Sequence, residues 1–396
     1  MPASPSTARV INDRLALRLL QDEGPLTAGQ LKQLTGLSRP TVADLVERLT
    51  AAGLIEVVGE AGEQRRGPNA RLYGIVAGLA HLAAVDARTE GLSVIVSDLL
   101  GDVLAGAAVP IGGDLGTGPA VEQAVALVER TAKQAGADRL HTVGIGAPGL
   151  IDPATGELRD SKGLPAWHRR LAAALLERLP GARVTVENET NLAAVAERRD
   201  GAARDRDTFV LLWLGHGAGA AVVLDGILRR GASGGTGEIG FLPVPGTSGL
   251  PSARDCEGGF HSLAGSGAIE RLAAEHGLTA APAAPGELPA AAVVRAAARS
   301  GAPDAARFLD VLADRIAIGV ASVAAILDPG CVVLGGEVGR AGGPTLAGRV
   351  ESRIRRMSPL TMEVRPSELG GDAVLRGALL TAREQAQTTV FAPRDR

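Results

Sequence analysis

Residues 38–48, Ser-Arg-Pro-Thr-Val-Ala-Asp-Leu-Val-Glu-Arg, place polar and charged groups in the order that a base-reading helix needs. Arginine and short polar side chains near a helix N-terminus reach base edges in the major groove, and the positive end of the helix dipole faces phosphate. Ser38 is suited to cap such a helix. Arg39 and Pro40 fall in its first turn, where the N–H that proline lacks has no partner anyway. Val42, Leu45, Val46 and Leu49 recur at i, i+3, i+4, i+7 and predict a buried face. Arg39, Thr41, Asp44 and Arg48 are left outside.

The neighbouring elements must hold that face in place. Thr27 followed by Gln30 is a capping-box pattern, so a shorter helix is expected from Ala28, with Leu31 and Leu34 on one side. Gly36 allows the tight turn between the two helices, and Gly53 ends the second. Leu54 to Val58 then reads as a strand. It is followed by GEAGEQRRGPNARLYGI, a Gly- and Arg-rich turn returning to a second strand. This is the pattern of a β-wing, with Arg65 and Arg66 at the tip, placed for phosphates or a minor groove. Asn12–Gln21 predicts a first helix, after a disordered tail over 1–10. Residues 11–75 are therefore expected to form a winged helix-turn-helix. Its candidate DNA-binding residues are Thr27, Ser38, Arg39, Pro40, Thr41, Asp44, Arg65 and Arg66. An ordinary helical hairpin with a solvated outer face is the plainer alternative, but caps, turn and spacing all agree on the DNA-binding reading.

Bulk properties frame this. The chain of 396 residues is long enough for two or three domains, and 45% hydrophobic content with 53 glycines indicates a globular, loop-rich protein. Aromatics are 2%, too few to stack bases along a single strand. Net charge is −3, and residues 1–75 carry nine basic against eight acidic groups, so DNA affinity must come from a local patch and from two copies acting together. Two cysteines, Cys256 and Cys331, give no disulfide framework and fit a reducing cytosol. No signal-peptide pattern opens the chain, no apolar run is long enough for a bilayer, and no repeat of solenoid period is present. A soluble cytoplasmic protein is expected.

From Leu79 the pattern changes. Three strands are expected over 81–111, with turns at Arg88–Gly91 and Leu100–Asp102. A helix follows over 120–136, then the buried strand and glycine-proline loop HTVGIGAPGLID. A helix over 165–179, the strand VTVEN and a helix from Glu189 to Asp200 come next. FVLLWLG and AAVVLDG form a hairpin, and CVVLGGEV is a further buried strand before a helix. Strands alternating with crossover helices indicate an α/β body. The Ala- and Pro-rich stretch 278–303 reads as a helical insertion on the surface.

Four motifs of this body, VGIGAPGLID, VENETN, GGTGEIG and LDPGCVVLGG, occur in the order and at the spacings of the ROK family (repressors, open reading frames and sugar kinases). The match runs from about Leu79 to the last helix near Gln385. With a winged helix in front, the chain resembles a ROK-type transcriptional regulator of the xylose- and N-acetylglucosamine-responsive kind. The resemblance implies an actin-like fold of two lobes. Lobe 1 would hold 79–198 with a C-terminal helix over 372–390, and lobe 2 would hold 199–371. In the kinases of the family, ATP and sugar meet between the lobes.

Measured against those kinases, several groups differ. The phosphate loop D-x-G-G-T corresponds to Asp86-Ala87-Arg88-Thr89-Glu90, where side chains replace two glycines and Glu90 adds a negative charge; the loop reads as disabled. The family's Asn-Asp, whose Asp is the base, is Asn188-Glu189 here, one methylene longer. Glu189 also suits a helix start. The family's zinc cluster C-x-C-G-x-x-G-C-x-E and its preceding His are lost. Phe241 replaces the His, while Ser252, Arg254 and Gly259 stand at the cysteine positions. Cys256 is out of register, and with His261 alone it is too few for zinc. The resemblance leaves Asn188, Glu189, Glu238 and His261 as effector-binding candidates, since an amide and carboxylates suit vicinal hydroxyls. In the plainer reading Glu238 and Asn188 only hold loops together.

The expectation is therefore a DNA-binding regulator that is not an enzyme and carries neither metal nor cofactor. Its partners would be double-stranded DNA with a palindromic operator, a second copy of itself as a homodimer or dimer of dimers, and a sugar or sugar-phosphate effector. No membrane is expected. A sugar kinase with an appended DNA-binding domain, and a constitutive regulator that has lost its effector, are the alternatives.

Overall fold

A computed structural model of the chain describes residues 5–61, 70–89, 91–112, 115–159, 164–247, 249–252, 257–279 and 287–392. The N-terminal unit contains α1 (Pro5–Glu23), β1 (Leu26–Thr27), α2 (Ala28–Thr35), α3 (Arg39–Ala51), β2 (Ile55–Ala61) and β3 (Ala70–Ile75). Its sheet has the order β1-β3-β2. Leu17, Leu31, Leu45 and Ile55, all fully buried, meet at the centre, each contributing about 1.5–3 kcal/mol by leaving water. The tail expected over 1–10 is corrected from Pro5 onward: α1 already runs through residues 5–10. Apolar spacing starts only near Leu15, so hydrophobic periodicity could not reveal the first turns.

Two five-stranded sheets make up the body. The first uses β4 (His81–Arg88), β5 (Gly91–Ser97), β6 (Val103–Pro110), β7 (Leu140–Ala147) and β8 (Arg183–Asn188), in the order β6-β5-β4-β7-β8. Helices α4 (Thr117–Gln134) and α5 (Trp167–Arg178) cover one face, and α6 (Glu189–Asp200) follows β8. The second sheet uses β9 (Phe209–Leu214), β10 (Ala218–Leu224), β11 (Ile227–Arg229), β12 (Cys331–Gly335) and β13 (Glu363–Pro366), in the order β11-β10-β9-β12-β13. Helices α7 (His261–Ala264), α8 (Ser266–Glu275), α9 (Pro289–Arg299), α10 (Pro303–Leu327) and α11 (Gly336–Met357) complete this lobe. The last helix, α12 (Ala373–Val390), returns to pack on α6, β4 and β7 of the first lobe.

Both sheets thus repeat one plan: an antiparallel three-strand meander, then two parallel strands beyond its first strand. One expectation fails in the second lobe. The stretch 278–303 is not a surface insertion where it is described, because Ala290–Val294 and Ala297 of α9 lie in the lobe's apolar core. Small alanine side chains let α9 approach α11 closely, and the same alanine-rich composition points, in the sequence alone, to a surface insertion.

Candidate functional site

At the N-terminal unit the local chemistry folds as the spacing predicts. Thr27 and Gln30 form a complete capping box: the Gln30 N–H donates to the Thr27 hydroxyl (3.2 Å) and the Thr27 N–H to the Gln30 side chain (2.9 Å). Gly36 takes φ +70° at the turn. The Ser38 hydroxyl accepts from the Thr41 N–H at 3.4 Å and lies 2.8 Å from its hydroxyl. Ser38, Arg39, Pro40 and Asp44 are exposed and Thr41 half-buried, so these five share the accessible end of α3.

Thr27 does not join them. It is 9% exposed and its hydroxyl is engaged in the cap, so it is removed from the DNA-facing set. Arg65 and Arg66 lie outside the described residues. Ala43 and Glu47, exposed on the same helix, were missed by the sequence reading, which counted neither. Arg48 is turned toward α1: it pairs with Asp13 at 2.6 Å and with Asp44 one turn back on its own helix. That bridge fixes α3 against α1.

Between the lobes, a second set of groups gathers at the end of β4. Asp86 is 1% exposed, and Arg88 donates to it at 2.7 Å. The same guanidinium reaches the second lobe, 3.5 Å from Glu337 at the start of α11, and donates to the Gly371 carbonyl at 2.8 Å. His168 of α5 lies 3.1 Å from the Arg88 carbonyl. Among the described residues, one Asp86 oxygen and Nδ1 of His168 are buried without a hydrogen-bond partner. Burial raises the Asp86 carboxyl, with Arg88 opposing, and lowers the His168 imidazole. Sequence reading found Arg88 but not His168 or Glu337, which come to it from remote segments. Glu90 lies outside the described residues.

Glu189 faces this cluster. It keeps some surface in solvent, yet burial pushes its carboxyl up to about 8, Asp86 and Glu337 adding repulsion and Arg88 opposing. Asn188 caps α6. Its side-chain oxygen accepts from the N–H groups of Thr190 (2.8 Å) and Asn191 (3.3 Å), and its amide donates to the Gly149 carbonyl (2.9 Å).

The glycine loop Gly215–Gly219 borders the same space. A side chain at Gly215 would lie 2.7 Å from Glu337, at Gly217 3.6 Å from His261, and at Gly219 3.7 Å from the Thr190 hydroxyl. His261 is half-buried, its imidazole lowered by burial and by Arg271. Glu238 stands exposed before the turn Ile239–Phe241. A cavity of about 670 Å³ opens beside Asn188, lined also by Asp152, Arg169, Glu187 and Arg230; Glu189, Glu238 and His261 do not line it.

Family-type cofactors can be tested against these groups. The Arg88 guanidinium at the β4 turn is engaged by Asp86 and lies near Glu337, so in this arrangement it is not turned toward a free phosphate position. Among the described residues no three His, Cys, Asp or Glu side chains are placed to hold a metal. Cys331 is buried in β12, and Cys256 lies outside the described residues.

The model of the ROK family matches residues 83–385, and that of the MarR family residues 12–67. The chain belongs to the ROK family. A glucokinase of Thermotoga maritima is 33% identical over 261 residues, 61% of this chain and 79% of the relative. A xylose repressor of Caldicellulosiruptor bescii is 25% identical over 238 residues, and the match spans 59% of each. A solved ROK family transcriptional regulator, homolog of the E. coli MLC protein, superposes with a TM-score of 0.75 at 23% identity, over 97% of this chain and 98% of that one. This ROK protein therefore has the winged-helix-plus-two-lobe fold of a ROK transcriptional regulator.

Proposed function

We propose that this ROK protein is a DNA-binding transcriptional regulator, acting as a repressor, whose body senses a sugar or sugar derivative rather than phosphorylating one. The observation that carries the reading is the pairing of an accessible α3 end with a β4 turn already filled by Arg88. Ser38, Arg39, Pro40, Thr41 and Asp44 present the surface that reads a major groove. Arg65 and Arg66 are assigned to phosphate or minor groove. The protein works as a homodimer or dimer of dimers on a palindromic operator. None of the helices among the described residues is long and apolar enough to cross a membrane, and we assign the protein to the cytoplasm.

Asn188, Glu189, Glu238 and His261 are the proposed effector-binding residues. A ligand there must bind two cleft states unequally to change the DNA-binding units. The sugar kinase reading draws support from Glu189, whose raised proton affinity would suit a base. Occupation of the Asn188 side chain by backbone groups of Thr190, Asn191 and Gly149 favours a body without effector. A thermal-shift screen of free sugars and sugar phosphates separates these, because a ligand that binds only the folded chain raises its stability. A confirmed ligand whose effect survives Glu238→Ala would place the site elsewhere.

A further inference from the structure

Helix α6 connects three places. Its first turn carries Glu189 and is capped by Asn188 at the interlobe cleft. Near its end, fully buried Glu197 accepts from the N–H groups of Ala202 (2.7 Å) and Leu369 (3.1 Å) and from the Ser367 hydroxyl, tying α6 to the segment where the chain returns from β13 to α12. At its last turn Arg199 pairs with Asp22 of α1 at 3.0 Å. The span from Asn188 to Arg199 is about 17 Å at 1.5 Å per residue.

Its partner helix doubles the connection. At Gly377 of α12 a side chain would lie 2.0 Å from the Leu192 carbonyl, so the two backbones touch and neither helix slides without the other. Arg376 of α12 also holds Asp200 at 2.6 Å. Further along, the Gln387 amide donates to the Gln21 side chain of α1 at 2.5 Å. One apolar cluster runs unbroken from Leu17 and Leu20 of α1 to Leu192 and Ala193 of α6 and to Ala378 and Ala386 of α12.

We propose that α6, clamped to α12, is the element that passes the state of the cleft to the DNA-binding unit, through the Arg199–Asp22 and Gln387–Gln21 contacts with the end of α1. The inference rests on the regulator reading above and adds its route. A displacement at the cap of α6 shifts the whole rigid helix, because Glu197 and Gly377 leave it no independent bend. The shift arrives at Asp22 and Gln21, beside the buried Leu17 and Leu20, which hold α1 in the core of the N-terminal unit and belong to the apolar cluster shared with α6 and α12.

Hydrogen–deuterium exchange on the full chain tests this without DNA or sugar, so its failure is distinct from failure of the regulator reading. Asn188→Ala removes the cap of α6. We expect faster exchange in the first turn of α6 and, by roughly threefold or more, in amides 17–23 of α1, with α10 unchanged. Adding Arg199→Ala and Gln387→Ala should confine the change to α6. The route is overturned if α6 loosens while α1 does not, or if α1 responds equally without Arg199 and Gln387. Should Asn188→Ala also loosen α10, Glu189→Gly, which leaves the cap in place but weakens the first turn of α6 with a glycine, replaces it under the same two criteria.

Discussion

Nη1 of Arg88 lies 3.5 Å from Oε1 of Glu337, although 249 positions separate the two residues in the chain. One side chain at the end of β4 thereby joins the two lobes where the family's kinases have glycines. The same guanidinium balances Asp86, whose second oxygen has no partner among the described residues.

Arg88→Ala should therefore lower the unfolding free energy by about 1–3 kcal/mol, the cost of leaving a buried carboxyl without its partner. Arg88→Lys should recover only part, since an ammonium cannot make the forked set of contacts. Urea unfolding near neutral pH measures both, and an alanine variant as stable as the parent would show that Arg88 does not hold the cluster.

The carboxyl of Glu189 gives a pH signature. Its folded value near 8 lies above the ordinary 4.5 of an unfolded chain, so its protonated form is favoured by folding. That contribution is complete below about 4.5 and is lost as pH rises through about 8. Glu189→Gln should remove this decline, so melting temperature measured across pH 5–9 should gain relative to the parent by several degrees at the alkaline end. Parallel curves for the two proteins would mean that Glu189 ionises freely.

Catalysis is expected to be absent. A coupled assay should detect no sugar-dependent ADP release with common hexoses or hexosamines. Glu189→Asp alone should not restore it, because Arg88 would still fill the phosphate corner. Release by the unmutated chain would make the sugar kinase reading the right one.

The parts of the fold visible in the sequence are those built from neighbours. Thr27 with Gln30, Gly36, Ser38 and the apolar stripe of α3 lie within a few positions of one another, so local caps and periodicity reveal them. The first turns of α1 carry no such stripe and were hidden. So was the common strand order of the two sheets, which exists only in tertiary pairing. At the interlobe site, Asp86, Arg88, Asn188 and Glu189 stand in motifs, whereas Glu337 and His168 join them only when distant strands align. Thr27 misled in the opposite way: a polar residue at a helix start serves the helix first and is buried by doing so.

The α3 surface and the wing should respond differently to substitution. Arg39→Ala should relax base preference at one position in each half-site, at a cost of about 1–3 kcal/mol. Arg65→Ala with Arg66→Ala should weaken binding to every sequence and flatten its salt dependence, because fewer counterions are released. Titrations at several salt concentrations against matched and altered sites separate the two. A salt slope unchanged by the double substitution would remove the wing from the interface.

The most direct test of the account is selection from a random duplex library with the full chain and with a variant lacking residues 1–75. The full chain should recover a symmetric motif whose half-sites lie one or two helical turns apart, as two copies of α3 on a dimer require. The truncated protein should remain a dimer and recover nothing. A full chain that enriches no symmetric sequence, or a truncated protein that binds DNA equally well, would contradict it.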